Sequence, residues 1–176
     1  MTDEPRPQVL CVHGFASSAD SLIINQPDRA FPYFLADNGY DVWLINLRGN
    51  NYSRAHTDLD PDVDEEFWDF DMTDFSQDIM TTIEYVLENS EQQTLSVVAF
   101  SVGNAPNLIL ASIEPEWYVD HVDILVLINP AIKLTNIENC QFKDLTNPVY
   151  IQIASELGVT EIMTPTFTQH TLNDLL

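Results

Sequence analysis

The chain has 176 residues, enough for one domain with a buried core. It carries 28 Asp and Glu against 6 Lys and Arg, a formal charge of −22. Such a field repels phosphate, so nucleic acid is excluded as a partner and an anionic membrane surface is disfavoured.

The acidity itself reads first as a means of solubility and second as a match to an acidic compartment, where partial protonation relieves repulsion. Two cysteines, Cys11 and Cys140, lie too far apart in sequence to suggest a disulfide framework. Cys11 sits in an apolar run and is expected in the core. No metal-ligand spacing occurs, and neither a metal nor an organic cofactor is expected. The opening "MTDEPRPQVL" has no basic segment followed by an apolar one, so no signal peptide is expected. No apolar run approaches the ~18 residues of a membrane span.

In chain order, "QVLCVHG" predicts a buried strand over Val9–His13 that glycine stops. "AFPYFLADNGY" predicts a short helix ending near Asn38-Gly39. "DVWLIN" predicts a second strand over Asp41–Asn46. The polar stretch that follows, as far as Phe70, is too rich in Asn, Asp and Pro for regular structure. From Met72 to Asn89, Phe75, Ile79, Ile83 and Val86 recur at helical spacing, and Asp71 and Asp74 suit the positive end of that helix. "LSVVA" is a third strand, and "NLILASI" belongs to the helix after it. "DILVLIN", Asp123–Asn129, is a fourth. A short helix is expected around Val149–Leu157. Strands that are apolar throughout and alternate with helices imply an α/β fold with a parallel sheet covered on both faces.

The chemistry concentrates where two of these strands end. Ala99-Phe100-Ser101-Val102-Gly103 places a serine on a tight strand-to-helix turn, with small residues where the two backbones approach. This is the form of a nucleophile elbow, G-x-S-x-G, with alanine for the first glycine. A serine capping an ordinary helix gives the same pattern. The second signal is "VHGF" after the first strand. An acyl-transfer site needs two N–H donors for the oxyanion. In this arrangement they come from the residue after the nucleophile, here Val102, and from the loop after an earlier strand, here Phe15. Ser101 is thus the candidate nucleophile and Phe15 and Val102 the candidate oxyanion donors. His13, Gly14 and Gly103 are expected to shape the turn.

The stretches "VHGFASSAD", "FPYFLADNGYDVWLINLRGNNYSRAHTDLDPD", "EEFWDFDMTDFSQDIMTTIEYVLE" and "VVAFSVGN" resemble the acid lipase family, the gastric and lysosomal lipases of the α/β-hydrolase fold. "LADNGYDVWLINLRGNNYSR" is the most diagnostic of them. The resemblance implies a serine ester hydrolase acting on triacylglycerol or cholesteryl esters, in relatives that are secreted or lysosomal. It also implies that the four strands form the block 4-3-5-6 of that fold, a doubly wound sheet with its two outer strands left as edges. Exposed apolar edges template association, so self-association is expected.

The family elbow reads Gly-His-Ser-Gln-Gly, so Phe100 and Val102 stand here for polar residues. Pro106 follows in the next helix, where it removes a backbone donor. The family pattern has strands before the His-Gly motif, and a cap, the last strands, and a triad Asp and His after it. The chain is therefore expected to be a partial copy: a partial hydrolase core over 1–132 and the start of a cap over 133–176. The alternative is a non-catalytic remnant or binding module that keeps the elbow without the triad. After Ser101 only His121 and His170 are available as bases, and neither is well placed. Trp43, Phe67 and Trp68 are expected to pack, and Arg48 and Arg54 to anchor the acidic loop.

Overall fold

In a computed structural model, the described residues are 5–132 together with Asn147, Val149, Gln152 and Ile153. The expected strands all form, with ends shifted by one or two residues. They are β1 (Gln8–Val12), β2 (Asp41–Leu44), β3 (Leu95–Phe100) and β4 (Val122–Ile128). All pairs are parallel and the spatial order is β2-β1-β3-β4. This is the block 4-3-5-6 that the sequence implied. It places β1 beside β3, with Val12 opposite Ala99, so the loops that leave both strands emerge at one point on the carboxyl edge. Such a switch point is where open α/β sheets bind ligands.

Five α-helices connect the strands: α1 (Asp20–Ile23), α2 (Phe31–Asp37), α3 (Met72–Glu88), α4 (Asn104–Ile113) and α5 (Pro115–His121). The longest, α3, starts at a reciprocal cap. The Asp71 carboxylate accepts from the N–H groups of Thr73 and Asp74, and the Asp74 carboxylate accepts from Asp71 N–H. Its apolar stripe, Ile79, Ile83 and Val86, is fully buried with Leu110 of α4. These pack on Leu10, Val12, Leu95, Val97 and Ala99, which share one face of the sheet. On the opposite face, Val9, Cys11 and Val98 pack with Leu22 and Leu35 from α1 and α2. Cys11 is core packing, and burial pushes its thiol pKa up to about 12.

Three elements were not expected. A single 3-10 turn, Glu65–Trp68, interrupts the stretch read as wholly irregular, and Phe67 is buried there. Helix α1 has four residues and no periodicity long enough to detect. Helix α5 follows Glu114 with proline at its first position, a start signal that the neighbouring apolar run of α4 obscures. Pro106 lies in the first turn of α4, where the N–H it lacks would have no acceptor within the helix.

Coverage of the second face is incomplete. Ile124 and Val126 of β4 are 57% and 41% exposed, although they stand in register with Ser96 and Val98 of β3. By contacts the chain divides into one unit of 1–54 with 70–132 and another of 55–69 with 133–176. The sheet and both candidate loops belong to the first. Within the second, His56 stacks edge-on against Phe67, and Trp68 Nε1 donates to the Pro61 carbonyl at 3.0 Å. Cys140, His170, most of the helix expected around Val149–Leu157 and nearly all of the expected cap lie outside the described residues.

Candidate active site

Ser101 follows the last residue of β3 and has φ +52°, the left-handed region. For a residue with a side chain that conformation costs roughly 1–2 kcal/mol, and it turns the strand sharply into the helix behind it. The turn continues as a 3-10 segment, Ser101–Gly103, before α4. Val102 N–H stands at the head of this helical run, where backbone donors have no intrahelical acceptor.

The loop after β1 lies directly against this turn. A methyl group added at Gly14 would sit 3.1 Å from Ser101 Cβ and 3.7 Å from Ser101 Oγ. One added at Gly103 would sit 2.3 Å from the His13 carbonyl oxygen and 3.0 Å from Val12 Cγ1. Gly103 has φ −59°, which alanine adopts freely, so glycine is required there by contact and not by conformation. Phe15 follows Gly14 and is 48% exposed. Thus Ser101, Val102 and Gly103 on one side and His13, Gly14 and Phe15 on the other converge at the switch point.

His13 is buried and does not act toward Ser101. Leu47 N–H donates to its Nε2 at 3.2 Å, and the Asn50 side-chain amide approaches the same nitrogen at 3.3 Å. Those donors leave Nε2 bare, so the ring hydrogen is assigned to Nδ1, which donates to the Gly14 carbonyl at 2.9 Å. Asn50 also donates to Asn46 Oδ1 at 2.8 Å, and that oxygen accepts from Ala19 N–H at 2.9 Å. The loop after β1 is therefore tied to the loop after β2 through His13, Asn46 and Asn50. Arg48, in the same loop, forks onto Asp78 of α3, with Nη2 to Oδ1 at 2.6 Å and Nε to Oδ2 at 2.9 Å, and reaches Asp74 at 3.4 Å. The diagnostic segment around Arg-Gly-Asn is thus hydrogen-bonded to the candidate oxyanion loop.

Two of these supports, Asn46 and Asn50, were not given a role from the sequence, although both lie in the diagnostic segment. Nor was Asn104, which is fully buried at the start of α4. The available signal was polar amides placed just past strand ends, where the chain should otherwise be free to solvate them.

The model of the alpha/beta hydrolase fold family matches residues 7–160. The chain belongs to that family. A Schizosaccharomyces pombe protein named "Probable lipase C1672.09" is 40% identical over 135 residues, covering 76% of this chain and 28% of that protein. Human "Lipase member K" is 39% identical over 113 residues, covering 64% of this chain and 28% of its own length. The chain therefore spans little more than a quarter of these relatives, whose lipase designation agrees with the resemblance read from the motifs. Among solved structures, a thioesterase domain from the curacin biosynthetic pathway shares the fold at TM-score 0.53 and 23% identity, covering 80% of this chain and 42% of that one.

Hydrolases of this fold present their triad in the order Ser, Asp or Glu, His. After Ser101 the described residues contain one histidine, His121, at the end of α5. It stacks on Trp117 at 4.3 Å between centroids and its Nδ1 contacts the Trp117 carbonyl at 2.7 Å. β4 starts at the next residue and runs parallel to β3, so His121 stands at the amino edge, about 20 Å of strand away from Ser101's edge. Among the described residues no group of His, Cys, Asp and Glu could hold a metal ion, and no helix is long and apolar enough to cross a membrane.

Two outcomes follow from this geometry. Gly103→Ala forces a methyl into the His13 backbone carbonyl, which cannot rotate away. The expected loss is about 3 kcal/mol, with Gly14→Ala costing less, read by denaturant unfolding. A Gly103→Ala protein as stable as wild type would show that the two loops do not meet. The second outcome concerns pH. Burial lowers the pKa of His13 despite the opposing bond to Gly14. Its folded value lies below the unfolded one, so its contribution is complete above about pH 6.5 and is lost as pH falls below that. The thermal midpoint should drop more steeply from pH 7 to pH 5 in wild type than in His13→Gln. Parallel profiles would remove His13 from the account.

Proposed function

We propose that this chain carries the nucleophile half of a lipid-ester hydrolase. Ser101 attacks the ester carbonyl, the N–H groups of Phe15 and Val102 receive the oxyanion, and the alcohol leaves to give an acyl-serine that water then cleaves. The observation that supports this most is the contact of Gly14 with a left-handed Ser101 at the β1–β3 switch point. A helix-capping serine has no need of that conformation or that neighbour. The lipase designation of the relatives supports an ester of the triacylglycerol or cholesteryl type. No metal or organic cofactor enters the step. In this reading 1–132 is the partial core and 133–176 opens the cap.

A serine hydroxyl needs a base to take its proton. Neither described histidine of the unit that holds the sheet is placed to do so: His13 is engaged by Leu47 and Gly14, and His121 stands at the other edge of the sheet. That observation favours, as a second reading, a binding module that keeps the elbow without turnover. Without a base a serine hydroxyl is a weak nucleophile, and any turnover it gives still passes through its oxygen. The chain should therefore cleave a short p-nitrophenyl ester feebly, and Ser101→Ala should abolish what remains while His170→Ala leaves it unchanged. Robust turnover lost in His170→Ala would reveal a relocated base. Turnover that survives Ser101→Ala would remove the elbow from the mechanism.

Self-association belongs to the same proposal. Among the described residues β2 and β4 are the outer strands of the sheet, and Ile124 and Val126 extend the apolar edge of β4 onto its exposed face. The net charge of −22 opposes association at low ionic strength. Sedimentation at neutral pH should show oligomers growing as salt rises, and an Ile124→Lys, Val126→Lys double variant should stay smaller. A monomer at every salt concentration would refute this.

A further inference from the structure

The peptide between Ser101 and Val102 has two ends with different tasks. Its N–H is the proposed oxyanion donor of Val102. Its carbonyl, on Ser101, accepts an unusual number of hydrogen bonds. Asn104 backbone N–H donates to it, Asn104 Nδ2 donates to it at 2.6 Å, and Ala131 N–H donates to it at 3.2 Å. The second hydrogen of Asn104 Nδ2 goes to the carbonyl of Ile128, the last residue of β4, at 3.1 Å. Asn104 is fully buried and spends both amide hydrogens on these two carbonyls. Its own Oδ1 is buried with no hydrogen-bond partner. Reversing the amide would aim Oδ1 at two carbonyl oxygens, so the orientation follows from the partners.

An orphaned buried acceptor costs about 1–3 kcal/mol. A leucine or valine would avoid that cost in a site packed only for stability. What the amide provides is a fixed direction for one peptide plane. That plane is rigid, so holding its oxygen fixes where its hydrogen points. Donors on the oxygen also polarise the amide and strengthen its N–H as a donor, most of all where the local dielectric is low.

We infer that Asn104 is a positioning residue for the oxyanion site: by clamping the Ser101 carbonyl to the end of β4, it aims and strengthens the Val102 N–H. The inference rests on the reading of Ser101 as nucleophile and Val102 as oxyanion donor. It adds a residue that touches neither substrate nor the reacting atoms.

Threonine and valine have nearly the same shape, and both are branched at Cβ. Threonine in a helix can donate its hydroxyl to a carbonyl three or four residues back, here that of Ser101, and valine cannot. Asn104→Thr and Asn104→Val therefore separate the hydrogen bond from packing. Two readouts are made on the whole chain, beside the thermal midpoint. The first is the rate at which an alkyl fluorophosphonate modifies Ser101, since that attack builds an oxyanion at the same place. The second is the NMR position of the Ser101 carbonyl carbon and the Val102 amide.

Removing an oxyanion donor outright costs about 10²–10³ in rate, so misdirecting one should cost roughly tenfold. Asn104→Val is expected to slow the maximal modification rate about tenfold with little change in half-saturating probe, and to move both resonances. Asn104→Thr should stay within about threefold of wild type at a similar thermal midpoint to the valine variant. Equal rates and unmoved resonances in the valine variant would overturn the inference. If wild type is modified no faster than Ser101→Ala, the nucleophile reading fails instead, and the two resonances alone decide whether Asn104 holds the peptide. Should Asn104→Val fail to fold, resonances in Asn104→Thr that match those of a denatured-like turn would contradict the clamp, and wild-type positions would support it.

Discussion

The whole site depends on one backbone contact, the approach of the His13 carbonyl to Gly103. Two adjacent parallel strands, β1 and β3, end side by side, and their loops meet at the first residue after β1 and the third after β3. There is no room for a Cβ between them. Once the contact is made, Gly14 is carried against Ser101. The left-handed turn at Ser101 is the conformation that lets α4 start without driving its first residues into the loop. Its cost of roughly 1–2 kcal/mol is small against burial of the strand ends around it.

Such a contact persists only if both loops are held from behind. The loop after β1 is held by neutral polar groups: the His13 ring, Asn46 and Asn50 link it to the loop after β2. The loop after β2 is held in turn by charge, through the Arg48 fork on Asp78. The elbow is held by Asn104 against β4. In a chain of net charge −22, cations are scarce, and most of this support falls to uncharged amides and one neutral imidazole. An imidazole buried neutral gives its support only where pH leaves it unprotonated. The acidity of the chain and this histidine therefore respond to acidification in opposite ways. Repulsion among carboxylates weakens as they protonate, while the His13 junction is penalised.

The strand order was legible because each strand is an unbroken apolar run and because the motifs around Leu35–Arg54 belong to a family with one topology. The sharp turn at Ser101 was legible for the same reason, in the position of the serine after "VVAF". The short elements α1 and α5 were not, since four residues show no period and Pro115 is a weak mark beside the apolar end of α4. The role of His13 was seen only as a general shaping of the loop. Its partners are 34 and 37 residues away, a separation that no local pattern encodes. Asn104 was not legible, because nothing local marks an asparagine at a helix start as buried. Its burial comes from β4, more than 20 residues later, whose last carbonyl it binds. Sequence periodicity reports which face is apolar, and it is silent on polar groups that are satisfied across the fold.

The measurement that bears most directly on the account is a crystal structure of the chain after prolonged exposure to an alkyl fluorophosphonate. The account predicts phosphorus bonded to Ser101 Oγ, with a phosphonyl oxygen within about 2.7–3.1 Å of both Phe15 N and Val102 N. Ser101 should keep its positive φ, and the Ser101 carbonyl should keep its bond to Asn104. An adduct on another residue, or a phosphonyl oxygen that faces solvent away from both N–H groups, would contradict the assignment of this switch point as an acyl-transfer site.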